Sequence, residues 1–189
     1  MIIYIHGFGG SGQGSKARLF REQYKNVRFI APSLPYVPDL AIMTLEELIE
    51  QFLKNEPVYL IGSSLGGFYA LYLSDKYNLP TVLLNPSVKP YETLARLVGE
   101  APSFYDESSF EWNEEHIKSL RGYDVQKPNE ANIFLLAQSG DEVLDYREAL
   151  QKLPNARRQI DEGGNHGFEG IEKHFEAIEL FFRKQAKGS

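Results

Sequence analysis

The chain has 189 residues, 42% of them hydrophobic and 24% charged, which fits a single globular domain and excludes disordered, fibrous and membrane-embedded classes. With 26 acidic against 20 basic side chains the net charge is −6, and no Lys/Arg run offsets it, so nucleic acid is not expected as a partner. The absence of Cys removes disulfides, thiolate metal sites, Fe–S clusters and a thiol nucleophile, and fits a reducing, cytoplasmic setting.

In chain order, the first predicted element is a buried strand at Ile2–Ile5. It is too short and lacks the basic flank of a secretion signal, and no later stretch reaches the roughly 20 apolar residues of a membrane span. The strand runs into His6-Gly7-Phe8-Gly9-Gly10-Ser11-Gly12-Gln13-Gly14-Ser15-Lys16, which admits three readings. As G-x-G-x-x-G it would bind a dinucleotide, but the second predicted strand (residues 27–31) ends at Pro32-Ser33, with no acidic residue to hold a ribose. As a P-loop it has Ser before Lys, the reverse of the order that phosphate and magnesium require. As a His-Gly loop it resembles the segment with which serine hydrolases of the α/β class supply one oxyanion N–H, here that of Phe8. Taken alone, it would be a Gly-rich turn before a helix.

An amphipathic helix follows, with Leu45, Leu48, Ile49, Phe52 and Leu53 on one face and Thr44 as its expected N-cap. A strand at 58–61 then leads into Gly62-Ser63-Ser64-Leu65-Gly66 and a helix from about Leu65. G-x-S-x-G between a strand and a helix places a serine on a sharp, exposed turn, so Ser64 is the candidate nucleophile and the Leu65 N–H the second oxyanion donor. After a strand at Thr81–Leu84, residues 86–129 show no strand pattern but carry six aromatic residues between acidic and Pro residues. Such a long connection is usually functional. It is expected to form a small cap with Phe110 and Trp112 walling an acyl pocket; the alternative is a satellite core over the sheet.

A strand at 133–137 is followed by Gln138-Ser139-Gly140-Asp141, which puts Asp141 at the carboxyl edge of the sheet as the candidate acid, with Glu142 and Asp145 as rivals. Asp145 also suits the N-cap of the next helix. A weaker strand at 157–160 precedes Gly163-Gly164-Asn165-His166-Gly167, and His166 is the candidate base, because a serine hydroxyl is nearly inert at neutral pH without one. The chain order Ser, acid, His is that of the α/β class. His6 is expected to be structural, His116 to do no chemistry and His174 to lie on the surface of a last helix drawn by Phe168, Ile171, Phe175, Ile178 and Phe182. The polar tail from Lys184 is expected to fray. Continuous apolar strands alternating with helices imply a parallel sheet covered on both faces.

With these residues in place the sequence resembles the α/β-hydrolase superfamily and, within it, the small YqiA-type bacterial esterases. The resemblance rests on Tyr4-Ile5-His6-Gly7-Phe8, Gly62-Ser63-Ser64-Leu65-Gly66-Gly67, Asn85-Pro86, the run from Gly140 to Arg147, and Glu162-Gly163-Gly164-Asn165-His166. It implies a reduced α/β-hydrolase fold over residues 1–189, with about six parallel strands, helices on both faces and residues 86–129 as a cap insertion. It also implies Ser64, Asp141 and His166 as nucleophile, acid and base, no cofactor or metal, and a small acyl ester or acyl-CoA thioester as substrate. The loop from Gly9 to Gly14 is richer in Gly than the family pattern. Esterase, thioesterase and a non-catalytic ligand-binding relative all remain open at this point.

Overall fold

The structure, a computed structural model, describes residues 1–187. Six strands form one wholly parallel sheet in the order β2-β1-β3-β4-β7-β8, comprising β1 (Ile2–Ile5), β2 (Phe29–Ile30), β3 (Tyr59–Ser63), β4 (Thr81–Leu84), β7 (Ile133–Gln138) and β8 (Arg157–Asp161). Parallel neighbours need crossovers, and here helices supply most of them. They are α1 (Ser15–Gln23), α2 (Pro38–Leu53), α3 (Leu65–Tyr77) and α6 (Tyr146–Lys152), while α7 (Phe175–Lys187) closes the chain.

The strands read as unbroken apolar runs because both faces are covered. On one face Ile2, Tyr4, Ile61, Val82, Phe134 and Leu136 pack against α1 and α7 through Phe20, Ile178 and Phe181. On the other, Ile3, Ile5, Leu60, Leu83 and Leu135 meet α2 and α3 through Leu45, Ile49, Phe68 and Leu73. Side chains alternate between these clusters with the two-residue period of a strand. The register aligns Ile5 with Gly62, Ser63 with Leu84, Leu84 with Leu136, and Gln138 with Asp161. His6, Ser64 and Asn85 therefore leave the sheet along one carboxyl edge, beside Gln138 and Asp161.

Three local expectations are corrected. Helix α2 begins at Pro38, not after Thr44. Pro at the first helical position pre-sets φ and Asp39 faces the positive end of the dipole, so the start needs no side-chain cap. Thr44 lies inside the helix and donates its hydroxyl to the Leu40 carbonyl at 2.8 Å. The last helical stretch starts at Ile171 as a 3-10 turn and continues as α7 through Lys187, so residues 184–187 are helical; Gly188 and Ser189 lie outside the described residues. His174, expected on the surface, is only 2% exposed. Its Nε2 lies 2.7 Å from Asp161 Oδ2 and Phe168 meets its ring edge-on.

Residues 86–129 hold more regular structure than their sequence suggests. A helical turn α4 (Pro90–Thr93) and a 3-10 turn (Leu94–Leu97) lead into an antiparallel hairpin of β5 (Gly99–Pro102) and β6 (Ser109–Trp112), then into α5 (Glu114–Arg121). Each hairpin strand turns only one or two residues inward, Ala101 on β5 and Phe110 and Trp112 on β6, too few to show a period in sequence. Trp112 is fully buried and donates its indole N–H to the Leu94 carbonyl at 3.2 Å. Removing so large a buried side chain is typically worth about 3–5 kcal/mol. Trp112→Ala should therefore lower the melting temperature markedly, and Phe110→Ala, at a half-buried position, should lower it less. Thermal melts of the two variants check this, and equal losses would contradict the packing described.

Candidate active site

Ser64 sits between the last residue of β3 and the first of α3 with φ 56° and ψ −121°, a conformation that costs a non-Gly residue on the order of 1–3 kcal/mol. Its surroundings hold it there. Its N–H donates to Leu84 O at 3.1 Å, and its carbonyl accepts from Gly67 at 2.9 Å and Ser87 at 3.0 Å. The flanking glycines allow the close approach: a Cβ on Gly62 would overlap the Gly66 carbonyl and the Ala70 side chain, and one on Gly66 would overlap the carbonyls of Ile5 and His6. The spacing G-x-S-x-G thus reflects two backbone contacts, one inside the turn and one to the end of β1.

The Ser64 hydroxyl points at a histidine. His166 Nε2 lies 3.0 Å from Ser64 Oγ, and His166 Nδ1 lies 2.8 Å and 3.0 Å from the two oxygens of Asp141. A carboxylate only accepts, so Nδ1 carries the proton and Nε2 presents its lone pair to the serine hydroxyl. The Asp141 side chain is almost wholly buried. Burial works to raise its pKa, but the His166 ring and the N–H groups of Leu144 and Val143 outweigh it and hold the carboxyl below the usual range. The rivals have other partners. Glu142 accepts the His166 backbone N–H at 2.9 Å, and Asp145 caps α6 through the Arg147 N–H at 3.0 Å.

Two buried amide side chains that sequence reasoning gave no role hold the loop carrying His166. Asn85, which follows β4 at φ 40°, donates from Nδ2 to the carbonyls of Asn165 (3.0 Å) and His166 (3.3 Å) and accepts the Gln138 N–H at 2.8 Å. Gln138 accepts the N–H groups of Asn165 (3.1 Å) and Glu169 (2.9 Å) on Oε1 and donates to Glu169 O at 2.7 Å. The only sequence signal was polarity where two apolar strands end. From α1, Lys16 adds a bond from Nζ to Gly167 O at 2.8 Å. Burial lowers the Lys16 pKa, while the charge of Asp141 opposes that shift.

On the side of β1, Gly7 packs directly against Ser64, and a Cβ there would lie 3.1 Å from the serine Cβ. Neither the Phe8 nor the Leu65 N–H donates to an acceptor among the described residues, so both remain available. The hairpin grips the same loop: Phe104 N–H donates to Gly9 O at 2.8 Å, and the Phe8 ring meets Phe110 and Trp112 edge-on at 5.4 and 4.9 Å. A cavity of 180 Å³ opens beside it, lined by Phe8, Leu34, Tyr36, Leu65, Tyr69 and Phe110. Trp112 is not part of its wall. The expectation that it lines the pocket is corrected, because the indole is spent on packing behind Phe8 and on the Leu94 carbonyl. Among the described residues, no group of three or more His, Asp or Glu gathers as a metal site would, and no helix is long and apolar enough to cross a membrane.

A parallel sheet with a serine on the turn after a central strand, an acid after β7 and a histidine after β8 defines the α/β-hydrolase fold, and solved structures agree. Est1E from Butyrivibrio proteoclasticus superposes with a TM-score of 0.75 at 14% identity, covering 98% of this chain and 89% of that one. Alpha/beta hydrolase domain-containing protein 10 from mouse superposes with a TM-score of 0.71 at 18% identity, covering 100% and 90%. At sequence level the chain belongs to the family described as "Uncharacterised protein family (UPF0227)", whose model matches residues 1–183. The UPF0227 protein YcfP of Salmonella enteritidis is 24% identical over 187 residues, covering 96% of this chain and 98% of its own.

The buried amides yield a prediction that needs no substrate. Asn85→Asp keeps the acceptor for the Gln138 N–H but removes both donors to the His166 loop, leaving the Asn165 and His166 carbonyls without that partner. Hydrogen exchange across residues 163–169 should quicken in Asn85→Asp while the strand amides of β3 and β4 keep their protection. Unchanged exchange in that loop would show that Asn85 does not hold it.

Proposed function

We propose that this protein is a serine esterase that hydrolyses small carboxylic esters through an acyl-enzyme. The observation that carries the reading is the continuous chain Ser64 Oγ, His166 Nε2, His166 Nδ1, Asp141, with every link between 2.8 and 3.0 Å. His166 takes the Ser64 proton as Oγ bonds to the ester carbonyl carbon, and the resulting oxyanion rests on the N–H groups of Phe8 and Leu65. The proton on Nε2 then passes to the departing alcohol oxygen as the ester bond breaks. Water repeats the cycle on the acyl-enzyme and releases the acid. Asp141 keeps the imidazole in its productive tautomer and offsets the charge it gains. Among the structural neighbours, Est1E was solved with ferulic acid bound, and others are described as lipases and esterases.

Residues 86–129 act in this reading as a cap that roofs the acyl site through Phe110. The cavity is smaller than the roughly 300–1,000 Å³ of drug-sized sites, which favours short acyl groups. The same residues serve an acyl-CoA thioester equally well, and the ratio of rates on matched oxygen and sulfur esters decides between the two.

A panel of p-nitrophenyl esters tests the proposal. Ser64→Ala should lose about 10⁴–10⁶ in kcat while the protein stays folded. Asp141→Asn should lose about 10³–10⁴ through the wrong tautomer, whereas Asp145→Asn, which keeps a good N-cap residue, should lose less than about tenfold. Turnover that survives in Ser64→Ala, or equal losses in the two Asp variants, would overturn the assignment. Rates should also fall as the acyl chain lengthens, and Phe110→Ala should flatten that fall, since one methylene in such a pocket is worth about 1–3 kcal/mol.

A further inference from the structure

A backbone donor stabilises developing charge only if its direction is fixed before the charge appears. The Phe8 N–H shares one planar peptide unit with the Gly7 carbonyl, and no peptide bond among the described residues is cis, so the two groups point opposite ways. Whatever fixes the Gly7 oxygen therefore fixes the Phe8 N–H. That oxygen is held twice, by His6 Nδ1 at 2.8 Å and by the Gly10 N–H at 3.1 Å.

The far side of the imidazole decides which nitrogen carries the proton. The Leu34 backbone N–H points at His6 Nε2 at 2.9 Å, and an amide N–H can only donate. Nε2 is therefore bare, and Nδ1–H donates to Gly7. Burial disfavours the cation and lowers the His6 pKa, although the Gly7 carbonyl opposes the shift. The His6 backbone is tied to the turn at Ser64, because β1 pairs with β3 up to Ile5 opposite Gly62 and the His6 carbonyl lies against Gly66.

We propose that His6 is a positioning residue: its neutral Nδ1–H tautomer, selected by the Leu34 amide, locks the Gly7–Phe8 peptide so that the Phe8 N–H faces the oxyanion. This rests on the esterase reading above and gives His6 a part in it that is played through the Gly7–Phe8 peptide.

Two substitutions separate the two ring nitrogens. Asn carries its amide nitrogen near the place of Nδ1, and Gln carries it near the place of Nε2. With p-nitrophenyl acetate, His6→Gln should lose about tenfold or more in kcat, with KM moving less than about twofold; the ceiling is the roughly 10²–10³ of a whole oxyanion donor. His6→Asn should recover the greater part of kcat. Equal impairment of the two variants, an effect on KM as large as that on kcat, or no effect of His6→Gln would each overturn the proposal. Nitrogen-15 NMR of the wild-type protein gives a test independent of how the variants fold: a protonated Nδ1 on His6 is required, and a protonated Nε2 overturns the proposal. A wild type that neither turns over the ester nor reacts at Ser64 would instead sink the esterase reading, leaving the tautomer to be judged by the NMR result alone.

Discussion

Everything at this site depends on a backbone conformation that Ser64 would not adopt by itself. At φ 56° the turn between β3 and α3 is strained, and it persists because three strands and a helix start enclose it. Gly62 and Gly66 let α3 begin in contact with the end of β1. The same contact brings the His6-Gly7-Phe8 loop against the serine. One close approach thereby gathers the serine turn, the start of α3 and the loop after β1.

The histidine has no such turn to hold it. It rides on a loop containing two glycines at positive φ, Gly163 and Gly164. Order is imposed from beneath by Asn85 and Gln138, both 3% exposed: the Asn85 amide nitrogen and both amide atoms of Gln138 are spent on the loop's backbone. The sheet register makes this possible: Leu84 of β4 pairs with Leu136 of β7, so Asn85, just past β4, and Gln138, the last residue of β7, meet under the loop. Glu142 and Lys16 complete the enclosure from the acid loop and from α1. The hairpin holds the other side of the site through Phe104, Phe110 and Trp112, so it packs as one unit with the loop after β1.

Much of this was legible in the sequence. Ser64, Asp141 and His166, which the structure brings together, could be singled out because each follows a strand at the same sheet edge, a relation that strand order and turn residues reveal without coordinates. Asp145 likewise announced itself as a cap. Features that depend on what packs against a residue from afar were not legible. His174 looks like a surface residue of the last helix, but Asp161 and Phe168 enclose it. Trp112 looks like a pocket aromatic, but the hairpin turns it into the core. Gln138 and Asn85 are ordinary polar residues at strand ends until the loop 80 residues beyond Asn85 folds back over them. The Gly-rich stretch from Gly7 to Gly14 imitates two nucleotide motifs, and only the missing acidic residue and the reversed Ser-Lys order argued against them.

In the proposed reading Ser64 is an activated nucleophile driven by His166. The most direct measurement is mass-spectrometric mapping of the folded protein after brief exposure to a fluorophosphonate, run alongside His166→Gln. A single adduct on Ser64 is expected in the wild type, with a labelling rate reduced by orders of magnitude in the variant. An adduct on Ser63 or another serine, or equal labelling of Ser64 in both proteins, would contradict it.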